Sequence, residues 1–127
     1  MKRLIQLIIT MLALAGCAPK YQYTQISMEE AIAIMDENTD YAILDVRTHE
    51  EFDELHIPGA ICIPNEEIYA DMEDIPGLPD KEQLILVYCR SGNRSKQASE
   101  KMAEIGYSNV YEFGGIIDWP GETVSGN

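Results

Sequence analysis

Seven consecutive residues, Cys89-Arg90-Ser91-Gly92-Asn93-Arg94-Ser95, put a nucleophile, two guanidinium groups and a conformationally free glycine into one short loop. A cysteine reacts as its thiolate, which forms where positive potential and hydrogen-bond donors surround the sulfur. Arg90 and Arg94 would supply fixed charge. Successive backbone N–H groups of a tight loop can converge on one point and bind an anion. A helix beginning just after the loop would add its positive end, with Ser95 expected as its cap. Only four residues separate Cys89 from Arg94. Phosphatase loops of similar shape have one more residue there, which makes room for a tetrahedral oxyanion. The shorter loop makes a tighter cradle, suited to one extra sulfur atom on the cysteine. Phosphatase or arsenate reductase chemistry is the weaker reading.

The flanking sequence must position that loop. Leu84 to Tyr88 is a short apolar run rich in branched residues, the pattern of a buried strand. From Ser95 to Ile105 apolar residues fall at Ala98, Met102 and Ile105, which is helical spacing, and Gly106 is the expected stop. Cys89 therefore sits at the carboxyl end of a strand that turns into a helix. Upstream, Ser27 with Glu30 and Thr48 with Glu51 have capping-box spacing and predict helices to about Asp36 and Leu55. Strands are expected at 23–26, 41–46, 60–63 and 110–113. A helix capped by Asn65 is expected to run to Met72, a proline-fixed loop over 75–79, and a last short helix or turn over 114–119. Alternating strands and helices imply a mostly parallel sheet covered on both faces. Ligands of such sheets bind beyond the carboxyl ends of the strands. Asp45 and Arg47 end another strand at that edge, where they would support the site from behind or form an ordinary ion pair.

The chain of 127 residues has the length of one domain, and its formal charge is −13. Lys2-Arg3, an apolar stretch from Leu4 to Ala15 and Gly16-Cys17 form the pattern of an export signal. The stretch is short of the ~20 residues that span a bilayer. Leu14-Ala15-Gly16-Cys17 resembles the bacterial lipoprotein box. The expectation is a signal peptide over 1–16, lipid on Cys17, a tether over 17–22 and a folded domain over 23–127 in the cell envelope. Loss of Lys2 and Arg3 with the signal takes the charge from −13 to −15. That charge argues against nucleic-acid binding and against attraction to anionic lipid. It also opposes long-range steering of an anionic substrate, so the loop must supply its own positive field. The three cysteines do not make a disulfide framework: Cys17 is read as the lipid site, Cys62 as a small buried core residue and Cys89 as the used thiol. His49 is expected to be exposed and His56 to fix a turn. No cluster has metal-ligand spacing, and no metal or cofactor is expected.

The Cys89–Ser95 loop resembles that of the rhodanese family of sulfurtransferases. Leu44-Asp45-Val46-Arg47, Glu51-Phe52 and His56-Ile57-Pro58-Gly59-Ala60 resemble the family's first signature, and Gly114-Gly115, Trp119 and Gly121 its last. The family commonly has glycine where Leu55 stands. The resemblance implies a three-layer α/β/α fold around a five-stranded, mostly parallel sheet of order 1-5-4-2-3. It also implies sulfur transfer through a Cys89 persulfide, from thiosulfate or a similar anion to a thiol or cyanide. Arg90, Ser91, Gly92, Asn93, Arg94 and Ser95 would bind the substrate. The alternative is a persulfide carrier serving a secreted partner protein. The domain is expected to be a monomer.

Overall fold

The computed structural model describes residues 21–126. The signal at 1–16, the lipid site Cys17 and most of the tether lie outside the described residues. Five strands form one sheet: β1 (Thr24–Gln25), β2 (Ala42–Asp45), β3 (Ile61–Cys62), β4 (Ile85–Cys89) and β5 (Val110–Gly115). Their order is β1-β5-β4-β2-β3, and every pairing is parallel. This is the expected order, and it puts β4, which ends on Cys89, at the centre.

The central strand is buried along its whole length, as a parallel strand covered on both faces must be. Alternate side chains serve two cores. Ile85, Val87 and Cys89 pack with Ala98, Met102 and Tyr107 on one side, while Leu86 and Tyr88 pack with Ala31, Ile57 and Phe113 on the other. Helix α1 (Met28–Glu37) and helix α2 (His49–Glu54) both start with complete capping boxes, Ser27 with Glu30 and Thr48 with Glu51. Each box satisfies amides that the first helical turn leaves unpaired. Helix α3 (Asn93–Ile105) buries Ser95, Ala98, Ser99, Met102 and Ala103 against the sheet and stops at Gly106, whose φ is 122°.

Three expectations need correction. Asn65 does not cap a helix to Met72: only a 3-10 turn, Asn65–Glu67, forms there, with Pro64 in the cap position. Tertiary contacts override local propensity. The Asn65 side chain bonds Gln97 and Lys101 on α3, and Ile68 is fully buried in the core. Helix α3 begins two residues earlier than expected. Cys62 is half-buried rather than a core residue, because β3 is a two-residue edge strand. The proline loop contains a tight Ile75–Leu78 turn, both ends of which are held by the Tyr107 hydroxyl. Among the described residues, no helix is long and apolar enough to cross a membrane.

Candidate active site

Cys89 ends β4 and is buried, and the chain turns at once into α3. Gly92 makes that turn with φ 118°, a value that side chains rarely tolerate. Helix α3 starts immediately after it and has no side-chain cap. The sulfur takes the place of the cap. The Gly92 amide donates to Sγ at 3.0 Å, and the nearby amides of Ser91 and Ser95 also favour its charged form. Ser95, expected to cap the helix, instead sits in its first turn with its hydroxyl 3.4 Å from Sγ. Burial alone would raise the Cys89 pKa; the Ser95 hydroxyl and the three amides outweigh it and bring the thiol below its ordinary value. Cys62 is the contrast. Burial and the nearby Asp45 carboxylate push its thiol up to about 12, so it stays protonated. Strand β2 lies between the two cysteines, and both are free.

The strand on the other side of Cys89 is bent to fit the loop. Val87 pairs with Glu112 and Cys89 with Gly115, so β5 carries one extra residue between these pairs. Such a bulge re-aims side chains next to a site. Gly115 is required for contact: a Cβ there would lie 1.8 Å from the Arg90 carbonyl oxygen. The bulge also brings the Gly114 amide to Glu112 Oε2 at 2.8 Å, and the same oxygen takes the Ser95 hydroxyl at 2.5 Å. Glu112 is fully buried beneath the loop.

The two arginines are placed differently. Arg90 is exposed and lines a groove of about 400 Å³ with Arg47, Glu51, Leu55 and Ile117. Arg94 is half-buried, and its guanidinium forks onto Glu51, Nη1 to Oε1 at 2.7 Å and Nη2 to Oε2 at 3.1 Å. That bidentate pair, followed by the Thr48 contacts, holds the Glu51 carboxyl down to about 2, against the opposing effect of burial. Ser91 and Asn93 are exposed on the loop. Asp45 and Arg47 form a buried ion pair of 2.7 Å behind the site. Arg47 also donates to the Leu55 carbonyl, and Tyr88, whose phenol is held up by burial and by Asp45, accepts from the Ile57 amide. The pair thus ties β2 and β4 to the end of α2. Leu55 has φ −166°, extended backbone that needs no glycine. His49 is exposed; His56 stacks on Phe52, donates from Nδ1 to the Phe52 carbonyl, and pairs its backbone with Val124.

Two residues that were not among the expected site residues complete the arrangement. Glu51 read as a capping residue and as part of the family's first signature, and nothing in its spacing pointed to Arg94. Glu112 carried a signal, since it is an acid inside the apolar run from Val110 to Phe113.

Residues 27–122 match the rhodanese-like domain family. The thiosulfate sulfurtransferase PspE of Escherichia coli is 39% identical over 75 residues, 59% of this chain and 70% of that protein. The adenylyltransferase and sulfurtransferase UBA4 of Meyerozyma guilliermondii is 34% identical over 107 residues, 76% of this chain but only 25% of that larger protein. A solved rhodanese with anions from E. coli superposes with a TM-score of 0.60 at 36% identity, covering 68% of this chain and 99% of that one.

Proposed function

The chain belongs to the rhodanese-like domain family, and from that premise we propose that it moves a sulfane sulfur through a Cys89 persulfide. One observation carries the reading: a buried cysteine sulfur caps the amide-lined start of α3, with its thiol favoured as the anion. In the first half-reaction Cys89 Sγ attacks the outer sulfur of thiosulfate. A Cys89 S–S bond forms, the S–S bond of thiosulfate breaks, and sulfite leaves with the electron pair. In the second, a thiolate or cyanide attacks the outer sulfur of the persulfide and Cys89 leaves as thiolate. The amides of Ser91, Gly92 and Ser95 hold the negative charge in both, as an oxyanion hole does.

Among the described residues Arg90 takes part in no ion pair, and at the groove it would meet the anionic donor. Arg94, engaged by Glu51, adds positive field to the loop and orients it. Asp45 and Arg47 keep the strand ends and α2 in register beneath them. Four residues between Cys89 and Arg94 leave the amides converging on the sulfur itself, which supports sulfur over phosphate.

A second reading, delivery of the persulfide to a partner protein, is favoured by the groove that Arg90, the residue after Cys89, lines: Leu55 and Ile117 are 42% and 59% exposed there. In either case the N-terminal pattern supports export and a lipid on Cys17 that keeps the domain at a bacterial membrane.

Thiosulfate–cyanide turnover tests the function. Cys89→Ser should abolish it while the fold is kept, and Arg90→Ala should weaken thiosulfate use by about 1.5–3 kcal/mol, the worth of one charge-assisted hydrogen bond. Substantial turnover by a folded Cys89→Ser protein, or clear aryl phosphatase activity of the wild type, would overturn the reading.

A further inference from the structure

Glu112 is a carboxyl group with no cation. It is fully buried, it takes part in no ion pair among the described residues, and its Oε1 is buried without a hydrogen-bond partner. A buried ionised carboxylate with an unpaired oxygen is costly, whereas a neutral acid leaves only a carbonyl oxygen unpaired.

The protons around Ser95 give a second, independent argument. Its hydroxyl has one proton and four acceptors around it: Glu112 Oε2 at 2.5 Å, the Gly92 carbonyl at 3.0 Å, the Gly114 carbonyl at 3.4 Å and Cys89 Sγ at 3.4 Å. Were Glu112 ionised, its close contact would claim that one proton and turn a hydroxyl lone pair toward the thiolate. A proton on Glu112 reverses the chain. The acid then donates to Ser95 Oγ, and the serine proton is free to donate to sulfur. The Gly114 amide still donates to Glu112 Oε2 at 2.8 Å.

We propose that Glu112 is a positioning residue that holds a proton beneath the active cysteine, so that Ser95 donates to the Cys89 thiolate. The other ionisable groups facing this cluster are Tyr23, just before β1, and Arg94 on α3, whose charge is already engaged by Glu51. Under the sulfur-transfer reading, the pocket then carries one negative charge rather than two when an anionic donor arrives.

The test needs no sulfur donor, so its failure and the failure of that reading are distinct. The full chain is examined by infrared spectroscopy above the Cys89 midpoint, the midpoint itself being set by site-resolved iodoacetamide alkylation against pH. Surface carboxyls are then ionised. The expected result is a carboxylic-acid C=O band that is lost in Glu112→Gln. The Gln side chain, neutral and still able to donate to Ser95, should hold the alkylation midpoint within about half a unit. No acid band in the wild type, or a midpoint that falls by about one unit or more in Glu112→Gln because a negative charge has been removed, overturns the proposal. If Glu112→Gln does not fold, labelling the wild type with carboxyl-13C glutamate decides the matter: a band that does not shift is not from a glutamate and contradicts it.

Discussion

Removing the Ser95 hydroxyl should make Cys89 a weaker acid. Ser95 is fully buried, and its Oγ is 3.4 Å from the sulfur. Next to burial, this hydroxyl is the largest influence on the Cys89 thiol, and it acts to lower the pKa. A hydrogen bond to a charged group contributes about 1.5–3 kcal/mol, which is ~1–2 pH units. The amides of Ser91, Gly92 and Ser95 survive the change and keep part of the effect. The expected shift is therefore at the low end, about one unit upward. Alkylation of Cys89 by iodoacetamide, followed by peptide mass spectrometry against pH, reads this directly and is not confused by Cys62, whose thiol is held up at about 12. Below both midpoints the Ser95→Ala rate should be about tenfold lower, with the high-pH plateau unchanged. The same change leaves Glu112 Oε2 with only the Gly114 amide, so some loss of stability accompanies it. A folded Ser95→Ala protein whose midpoint stays put or falls would refute the argument that the hydroxyl stabilises the thiolate.

Two further outcomes concern an ion pair and the N-terminus. The Glu51 carboxyl is depressed from 4.5 to about 2 by Arg94, so its pair stabilises the fold above pH ~4.5 and loses that contribution as the pH falls toward 2. The two side chains are 27% and 33% exposed, so water screens the pair to about 1 kcal/mol at most; urea unfolding should show Arg94→Ala less stable than wild type at pH 6 and converging with it in acid, and a pH-independent gap would contradict this. At the N-terminus, metabolic labelling with a fatty-acid analogue should mark the wild type and not Cys17→Ala, and wild-type protein in the cytoplasm with Met1 retained would end the lipoprotein reading.

What could be read from the sequence was mostly local. The capping boxes at Ser27 and Thr48 were legible because both partners lie within four residues, and both form. The strand carrying Cys89 was legible because a central parallel strand is apolar on both faces. The loop was legible as an anion cradle, yet its hydrogen bonding was not. Gly92 at φ 118° starts the helix earlier, which gives the cap position to the Cys89 sulfur and sends Ser95 to Glu112. Periodicity could not order the strands; the family resemblance supplied 1-5-4-2-3. Asn65 misled because its side chain reaches α3 rather than its own backbone. The Arg94–Glu51 and Ser95–Glu112 contacts span 43 and 17 residues, and only the sheet order and the β5 bulge bring them together.

Whether Cys89 carries the sulfur is read by intact-mass spectrometry before and after thiosulfate. The wild type should gain one sulfur atom and lose it on addition of cyanide, and Cys89→Ser with Cys62 left in place should gain none. An unmodified wild type after thiosulfate, or an equal sulfur adduct on a folded Cys89→Ser protein, would contradict a Cys89 persulfide.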